Sequence, residues 1–400
     1  MQAEAHQKAS RLAIATLYAS TVLQGLTLVS YPALAGVLRT TVGLDDAQYG
    51  ASFLPQVVAT ALAALGGGAL ARRLALRPVL ALALVLNAIA ELLLVASGVW
   101  PAAGFPLVLA GTACLGLGFG LSAAPLNALP GRLLPARRES ALVAAHAGIG
   151  AGLALGPVLA AALAAAGRWQ LLPAGLAIAA SLLAPGALVA LPRSDDAPAR
   201  TARAGRSPAA TGAFWLLAAT AVVYALAEGT FSGWAVIYLS EDRGLGGASA
   251  ALGLTAFWTA LVAGRIAVAA LVERLGTIPL WLALPPLMIA AFLCLPHVRT
   301  AAGGVLAFAL AGFACSGFFP LTVARAAARY PDDVAAVSSL LVAALMLGVG
   351  LGSFTVGPLR AALPLADLYE LAALYPALAF VLALANCRAP SVRLALERAR

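Results

Sequence analysis

Charged and polar positions are sparse along this chain, and they punctuate it so as to leave twelve long apolar runs. The runs lie near residues 12–38, 49–71, 78–99, 104–130, 140–166, 171–191, 213–239, 249–272, 278–296, 301–324, 334–359 and 368–387. Each is close to or above the roughly twenty residues a helix needs to cross a hydrocarbon layer of about 30 Å. A backbone in hydrocarbon must satisfy its own N–H and C=O groups, so runs of this kind are expected to be helices. The first run carries no charge between Arg11 and Arg39. That is longer than the apolar core of a cleaved signal, and the segment is expected to stay in the mature protein.

One polar stretch stands apart. Residues 193–208 are basic and rich in small side chains, and they divide two apolar blocks of similar size. The expected organisation is a six-helix bundle over 1–192, a cytoplasmic linker over 193–212, and a second six-helix bundle with a short cytoplasmic tail over 213–400. The basic residues set the orientation. With both termini cytoplasmic, nineteen Lys and Arg fall on the inner side and five (Arg39, Arg168, Arg243, Arg299 and Arg360) on the outer side, with Arg265 inside a span. An asymmetry of that size follows the positive-inside rule and supports an even number of spans.

The two blocks repeat each other. Gly148, Gly150 and Gly152 recur 200 residues later as Gly348, Gly350 and Gly352, each set followed by Gly-Pro, and Arg73-Leu74 recurs as Arg274-Leu275. Such an offset indicates a parallel duplication of six helices, with a central site between the copies. The glycine series have small-xxx-small spacing, which lets helix backbones approach closely.

Composition removes several classes. The chain is 62% hydrophobic and 10% charged, against about 25% charged residues in a soluble domain. The net charge of +9 has no polar, aromatic-studded domain to carry it, so topology rather than nucleic-acid binding explains it. The four cysteines lie singly in apolar runs and are read as core residues, and no metal or cofactor is expected. Neither HExxH nor GxSxG occurs, and none of His6, His146 and His297 stands as an evident base beside a nucleophile. An enzyme is not expected.

The loop after the second run, Gly67-Gly-Ala-Leu-Ala-Arg-Arg-Leu-Ala-Leu-Arg-Pro78, resembles the GxLaDRxGRR signature of the major facilitator superfamily. Arg72 stands where that family has aspartate, and Ala75 where it has glycine. The second copy, Leu271-Val-Glu-Arg-Leu-Gly276, is nearer the pattern, with Glu273 acidic as usual. The resemblance covers essentially the whole chain and implies an all-α membrane protein of twelve transmembrane helices in two pseudo-symmetric bundles, the major facilitator fold. A narrower likeness to the bacterial fucose-permease-like branch rests on Asn127 through Arg138, Ala145 through Gly150 and Ala227 through Leu239. The resemblance further implies that the first, fourth, seventh and tenth helices line the cavity.

Ionisable groups inside a membrane are costly and mark candidate function. Glu228 lies about 22 Å into the seventh run, near the midplane, with Tyr224 and Ser232 one turn to either side. Removal from water favours the neutral acid, so Glu228 can load and release a proton; alternatively it is a structural hydrogen-bonding acid. His146, about 9 Å into the fifth run, is either a proton relay or substrate contact, or a helix–helix hydrogen bond. Gln24, Asn127 and Trp258 are further candidates for substrate contact. Arg265 and Glu273, with Arg73 and Arg274 in the paired loops, are read as gating charges. Glu91 and Glu370 fall on helices that the resemblance places at the periphery. Trp234 and Tyr238 lie towards the rim, where aromatics anchor to the interface.

One deep arginine is too few to clamp a phosphate ester, and a neutral, zwitterionic or hydrophobic-cationic small molecule is expected instead. The expected protein is a secondary active transporter of the bacterial inner membrane, working by alternating access, proton-coupled, monomeric and surrounded by lipid. The alternatives are a transport-inactive sensor or assembly factor on the same fold, a uniporter, or a drug-efflux carrier.

Overall fold

The structure, a computed structural model, describes residues 2–192, 211–331 and 333–388. All but the last two residues of the expected linker, 193–212, therefore lie outside the described residues. Every apolar run is helical, and twelve helices are long and apolar enough to cross a membrane. They are α1 (Arg11–Ala33), α2 (Asp46–Gly67), α3 (Leu76–Val99), α4 (Pro101–Leu133), α5 (Ser140–Ala165), α6 (Leu171–Ala190), α7 (Gly212–Asp242), α8 (Gly247–Leu275), α9 (Thr277–His297), α10 (Ala301–Arg329), α11 (Val337–Leu359) and α12 (Leu365–Arg388).

The packing repeats with the sequence. In the first half α1 packs on α5 and α6, α2 on α4, and α3 on α4 and α6; in the second, α7 packs on α11 and α12, α8 on α10, and α9 on α10 and α12. Glycine makes the tightest of these contacts possible. A side chain at Gly152 would collide with the Val22 carbonyl of α1, and one at Gly352 with the Leu226 carbonyl of α7. Two residues 200 apart thus do the same work, seating the fifth helix of each bundle against its first.

The turns that follow α2 and α8 are also equivalent. Gly276 has φ 81° and ψ 165°, a conformation open chiefly to glycine, and Ala75 takes nearly the same values, φ 68° and ψ 166°. Ala75 is the only non-glycine with positive φ among the described residues. It occupies one of the two positions, with Arg72, at which the sequence departs from the family signature.

Two polar pairs cross-link α1 to α3 inside the first bundle. Asn87 Nδ2 donates to Gln24 Oε1 at 3.0 Å, and the Ser30 hydroxyl donates to Glu91 Oε1 at 2.8 Å. All four residues are buried.

An even number of spans leaves both described chain ends on one side of the molecule, called here the terminus side. The bundles meet along two symmetric seams, α2 against α11 and α5 against α8, with α1 touching α7 between them.

Candidate functional site

Glu228 stands at the middle of the 31-residue α7. It is 9% exposed. Tyr224, one turn earlier, places its hydroxyl 2.5 Å from Glu228 Oε2 and 2.7 Å from the Cys315 carbonyl of α10. A phenol has one hydrogen to give. When Tyr224 donates to Cys315, the second contact is satisfied by a hydrogen on Glu228; when Tyr224 turns to an ionised Glu228, the carbonyl loses its donor. The carboxyl keeps its other oxygen, Oε1, outside this chain of contacts. Ser232, one turn later, donates instead to the Glu228 backbone carbonyl at 2.9 Å.

The α5–α8 seam brings the second group of candidates together across the two bundles. Thr255 donates to the Ala154 carbonyl at 2.9 Å, and Val262 fills the space beside Gly150. The pairing 154–255 and 150–262 is antiparallel, so one further turn towards the terminus side sets His146 of α5 opposite Arg265 of α8. Both side chains are exposed. His146 Nε2 lies 3.0 Å from Asn127 Oδ1, while the Asn127 amide donates to the Ala123 carbonyl. The Arg265 charge acts electrostatically on His146 and on Glu228. Trp258, between Thr255 and Val262, has a buried indole N–H with no hydrogen-bond partner.

At the opposite end the halves are fastened by charge. The end of α7 widens into a π-turn over Tyr238–Asp242, which carries Glu241 and Asp242. Arg360 bonds Asp46 at 3.0 Å and Asp242 at 2.6 Å, and Arg39 lies 2.6 Å from Asp46 and 3.1 Å from Glu241. The Arg39–Asp46 approach is a contact of charges without hydrogen-bond alignment. Asp45 is held apart from the network, because it caps α2 by accepting from the Gln48 backbone N–H at 2.7 Å. Beneath the charges, Tyr49 donates from its hydroxyl to the Gly233 carbonyl at 2.7 Å, across the halves. Tyr31, Phe53 and Trp234 pack their rings around it, with centroids 5.0–5.4 Å from that of Tyr49.

The sequence candidates divide accordingly. The structure gathers Glu228, Tyr224 and Ser232 at mid-depth, and His146, Asn127, Arg265 and Trp258 along one seam. Gln24 is buried against α3, bonded to Asn87. Arg73, Glu273 and Arg274 are exposed on the terminus side, and no ion pair joins them to a described residue. The observed ion pairs lie at the other end, between Arg39 and Arg360, which the sequence reading counted only for topology, and Asp46, Glu241 and Asp242, to which it gave no role. A signal for them existed: acidic pairs follow the first and seventh runs at equivalent places, Asp45-Asp46 and Glu241-Asp242, each with an arginine nearby, Arg39 and Arg243. Trp234 and Tyr238 are not interface anchors. Trp234 is fully buried and donates to the Ser353 carbonyl at 2.8 Å, and Tyr238 is buried and donates to the Leu295 carbonyl at 2.5 Å. Glu91 is buried inside the first bundle and Glu370 is exposed.

Comparison with known proteins agrees with this architecture. The model of the Major Facilitator Superfamily matches residues 17–353. A bacterial homologue of the human lysosomal transporter Spinster, solved inward-facing and occupied, superposes with a TM-score of 0.74 at 16% identity, covering 94% of this chain and 96% of that one. The nucleoside transporter NupG, as a point mutant, superposes with a TM-score of 0.76 at 14% identity, covering 94% and 99%. At these identities the likeness speaks for the fold. No curated protein matches the chain in sequence. With twelve apolar helices, two bundles repeated at an offset of 200 residues and a family match over most of its length, this integral membrane protein belongs to the Major Facilitator Superfamily, a family of transporters.

Proposed function

We propose that the protein is a proton-coupled secondary active transporter that carries a small solute by alternating access, with Glu228 as the proton-carrying group. The carrying observation is the hydroxyl of Tyr224, shared between Glu228 and the Cys315 carbonyl with one hydrogen for two contacts. Gaining or losing a proton on Glu228 redirects that hydroxyl and so changes how α7 is tied to α10. A buried acid with a built-in partner for each protonation state suits a carrier that must move it through water-poor surroundings.

In this reading the bacterial inner membrane holds the chain as a monomer, with both termini and the 193–212 linker cytoplasmic, between bundles at 1–192 and 213–400. The positive-inside asymmetry supports that orientation. The network at Arg39, Asp46, Glu241, Asp242 and Arg360 then closes the outer side, and the seam at which His146 and Arg265 are exposed opens inward. Arg73, Glu273 and Arg274 serve as gating charges of the opposite, outward-open state. The solute is small and of low net charge; the expectation of neutral, zwitterionic or hydrophobic-cationic cargo rests on there being a single deep arginine.

Proteoliposomes with an internal pH dye test the reading. A transported solute moves protons with it, and Glu228→Gln abolishes accumulation driven by a pH gradient while exchange of solute for solute persists. Full pH-driven accumulation by a well-folded Glu228→Gln protein overturns the assignment. Cysteines placed at Ser207 and Ser249 label from opposite faces if the topology is right.

A further inference from the structure

Arg265 is ten residues from the end of α8, whereas no other described Lys or Arg lies more than four residues inside a span. A cation at that depth is costly unless something offsets it. Among the described residues it has no ion-pair partner, although its side chain is exposed. Its charge acts on an acid of its own bundle, Glu228, and on an imidazole of the other, His146, which stands opposite it across the α5–α8 seam. One guanidinium therefore stands on the seam between bundles without an ion pair to the acid.

We propose that the open seam at Arg265 takes a solute whose one charge is a carboxylate, held by Arg265, with a proton on Glu228 accompanying each anion. This rests on Glu228 being the proton carrier. The charge balance closes in both states that must cross. Loaded, the site holds neutral Glu228, cationic Arg265 and one anionic carboxylate; empty, it holds anionic Glu228 and cationic Arg265. The proton is taken from water on one side and released to water on the other, and no other bond is made or broken. The groups that act on Glu228 are Tyr224 of its own helix, by hydrogen bond, and Cys315 of α10 and Arg265 of α8, electrostatically; His146 of α5, on which Arg265 also acts, is counted as neutral in this balance.

A guanidinium offers a carboxylate two parallel N–H donors, which a single arginine can do alone. A phosphate ester would leave excess negative charge in the site, a hydrophobic cation excess positive charge. The single deep arginine that sets aside multiply charged anions thus favours singly charged ones.

The test uses the full-length protein with lactate, pyruvate and benzoate as probes, and with choline and uridine as contrasts. The carboxylates should enter proteoliposomes together with protons, at rates insensitive to an imposed membrane potential. Arg265→Gln should lower that uptake about 100-fold with the melting temperature unchanged, and Arg265→Lys should restore part of it. Carboxylate binding, read by a thermal shift, should weaken tenfold per pH unit in the alkaline range for the wild type. In Glu228→Gln, whose amide stays neutral, binding should be strong and independent of pH. The inference is overturned if none of the three carboxylates binds or moves, or if uridine or choline moves with protons and Arg265→Gln has no effect. The latter result leaves the proton role of Glu228 standing. If solute flux is indifferent both to pH and to Glu228→Gln, the proton-carrier reading fails and this inference falls with it.

Discussion

Arg360 Nε lies 3.0 Å from Asp46 Oδ2, and this ion pair ties the eleventh helix of the chain to the start of the second. Asp46 also takes Arg39, and Arg360 also takes Asp242, so the carboxylate and the guanidinium at the centre are each shared. A shared network is stronger than isolated surface pairs, because each side chain ordered for one contact serves a second. Its members come from both bundles, so in the proposed alternating-access cycle it holds only while this end is closed.

Loss of one member should therefore move the population between conformations without unfolding either bundle. Asp46→Asn is expected to cost the closed end about 1 kcal/mol, roughly fivefold in the population that opens there. In a protein stripped of its native cysteines, a cysteine at Val57, which packs against Gly350 across the α2–α11 seam, should label several-fold faster from that end in the Asp46→Asn background. Equal labelling rates in the two backgrounds would remove the network from gating.

Tyr224→Phe keeps the ring stacked on Phe318, at 5.1 Å between centroids, and deletes the hydroxyl. Glu228 and the Cys315 carbonyl then lose their common partner. An unsatisfied buried polar group costs about 1–3 kcal/mol. The variant should fold with a lowered melting temperature and shift the pH dependence of transport, whereas Ser232→Ala, whose hydroxyl bonds only backbone, should leave the pH profile in place. An unchanged pH profile in Tyr224→Phe would separate the tyrosine from the acid's function.

Ala75 holds a backbone conformation that its counterpart Gly276 adopts without steric penalty. Relief of such strain is worth on the order of 1 kcal/mol or more. Ala75→Gly is expected to raise the melting temperature in detergent, and Gly276→Ala to lower it by a similar or larger amount. A loss of stability in Ala75→Gly would mean that the added freedom of the unfolded chain outweighs the strain.

Glu91 is buried inside the first bundle, where one oxygen accepts from Ser30 and the other has no partner. An amide at this position keeps the acceptor and supplies donors, so Glu91→Gln should fold and transport at close to wild-type rates. Glu91→Ala should lose about 2 kcal/mol or more through the space left behind, while the Ser30 hydroxyl keeps the Thr27 carbonyl as its partner. Transport assays and melting curves on the pair separate a packing acid from a working one. Loss of transport in a stable Glu91→Gln protein would make it a second proton site.

Much of this molecule is legible along the chain. The twelve spans, the six-helix repeat and the mid-depth position of Glu228 all follow from properties summed over about twenty neighbouring residues: apolarity, charge at the ends and spacing. The glycines at 152 and 352 are legible for the same reason, since a missing side chain at fixed spacing announces close packing wherever its partner lies. What the sequence could not tell is which way each helix is turned. In a membrane the face that meets lipid is as apolar as the face that meets another helix, so periodicity carries little of the rotation that it would give in water. Gln24 and Asn127 read alike as polar residues in apolar runs, yet one is locked to Asn87 inside a bundle and the other is exposed beside His146. Trp234 reads as a rim aromatic and instead seals the seam between bundles. Arg39 and Arg360 are 321 residues apart and meet over Asp46 only because two bundles lean together at one end. That meeting, and the solitary exposure of Arg265, are decided by how the bundles are set against each other.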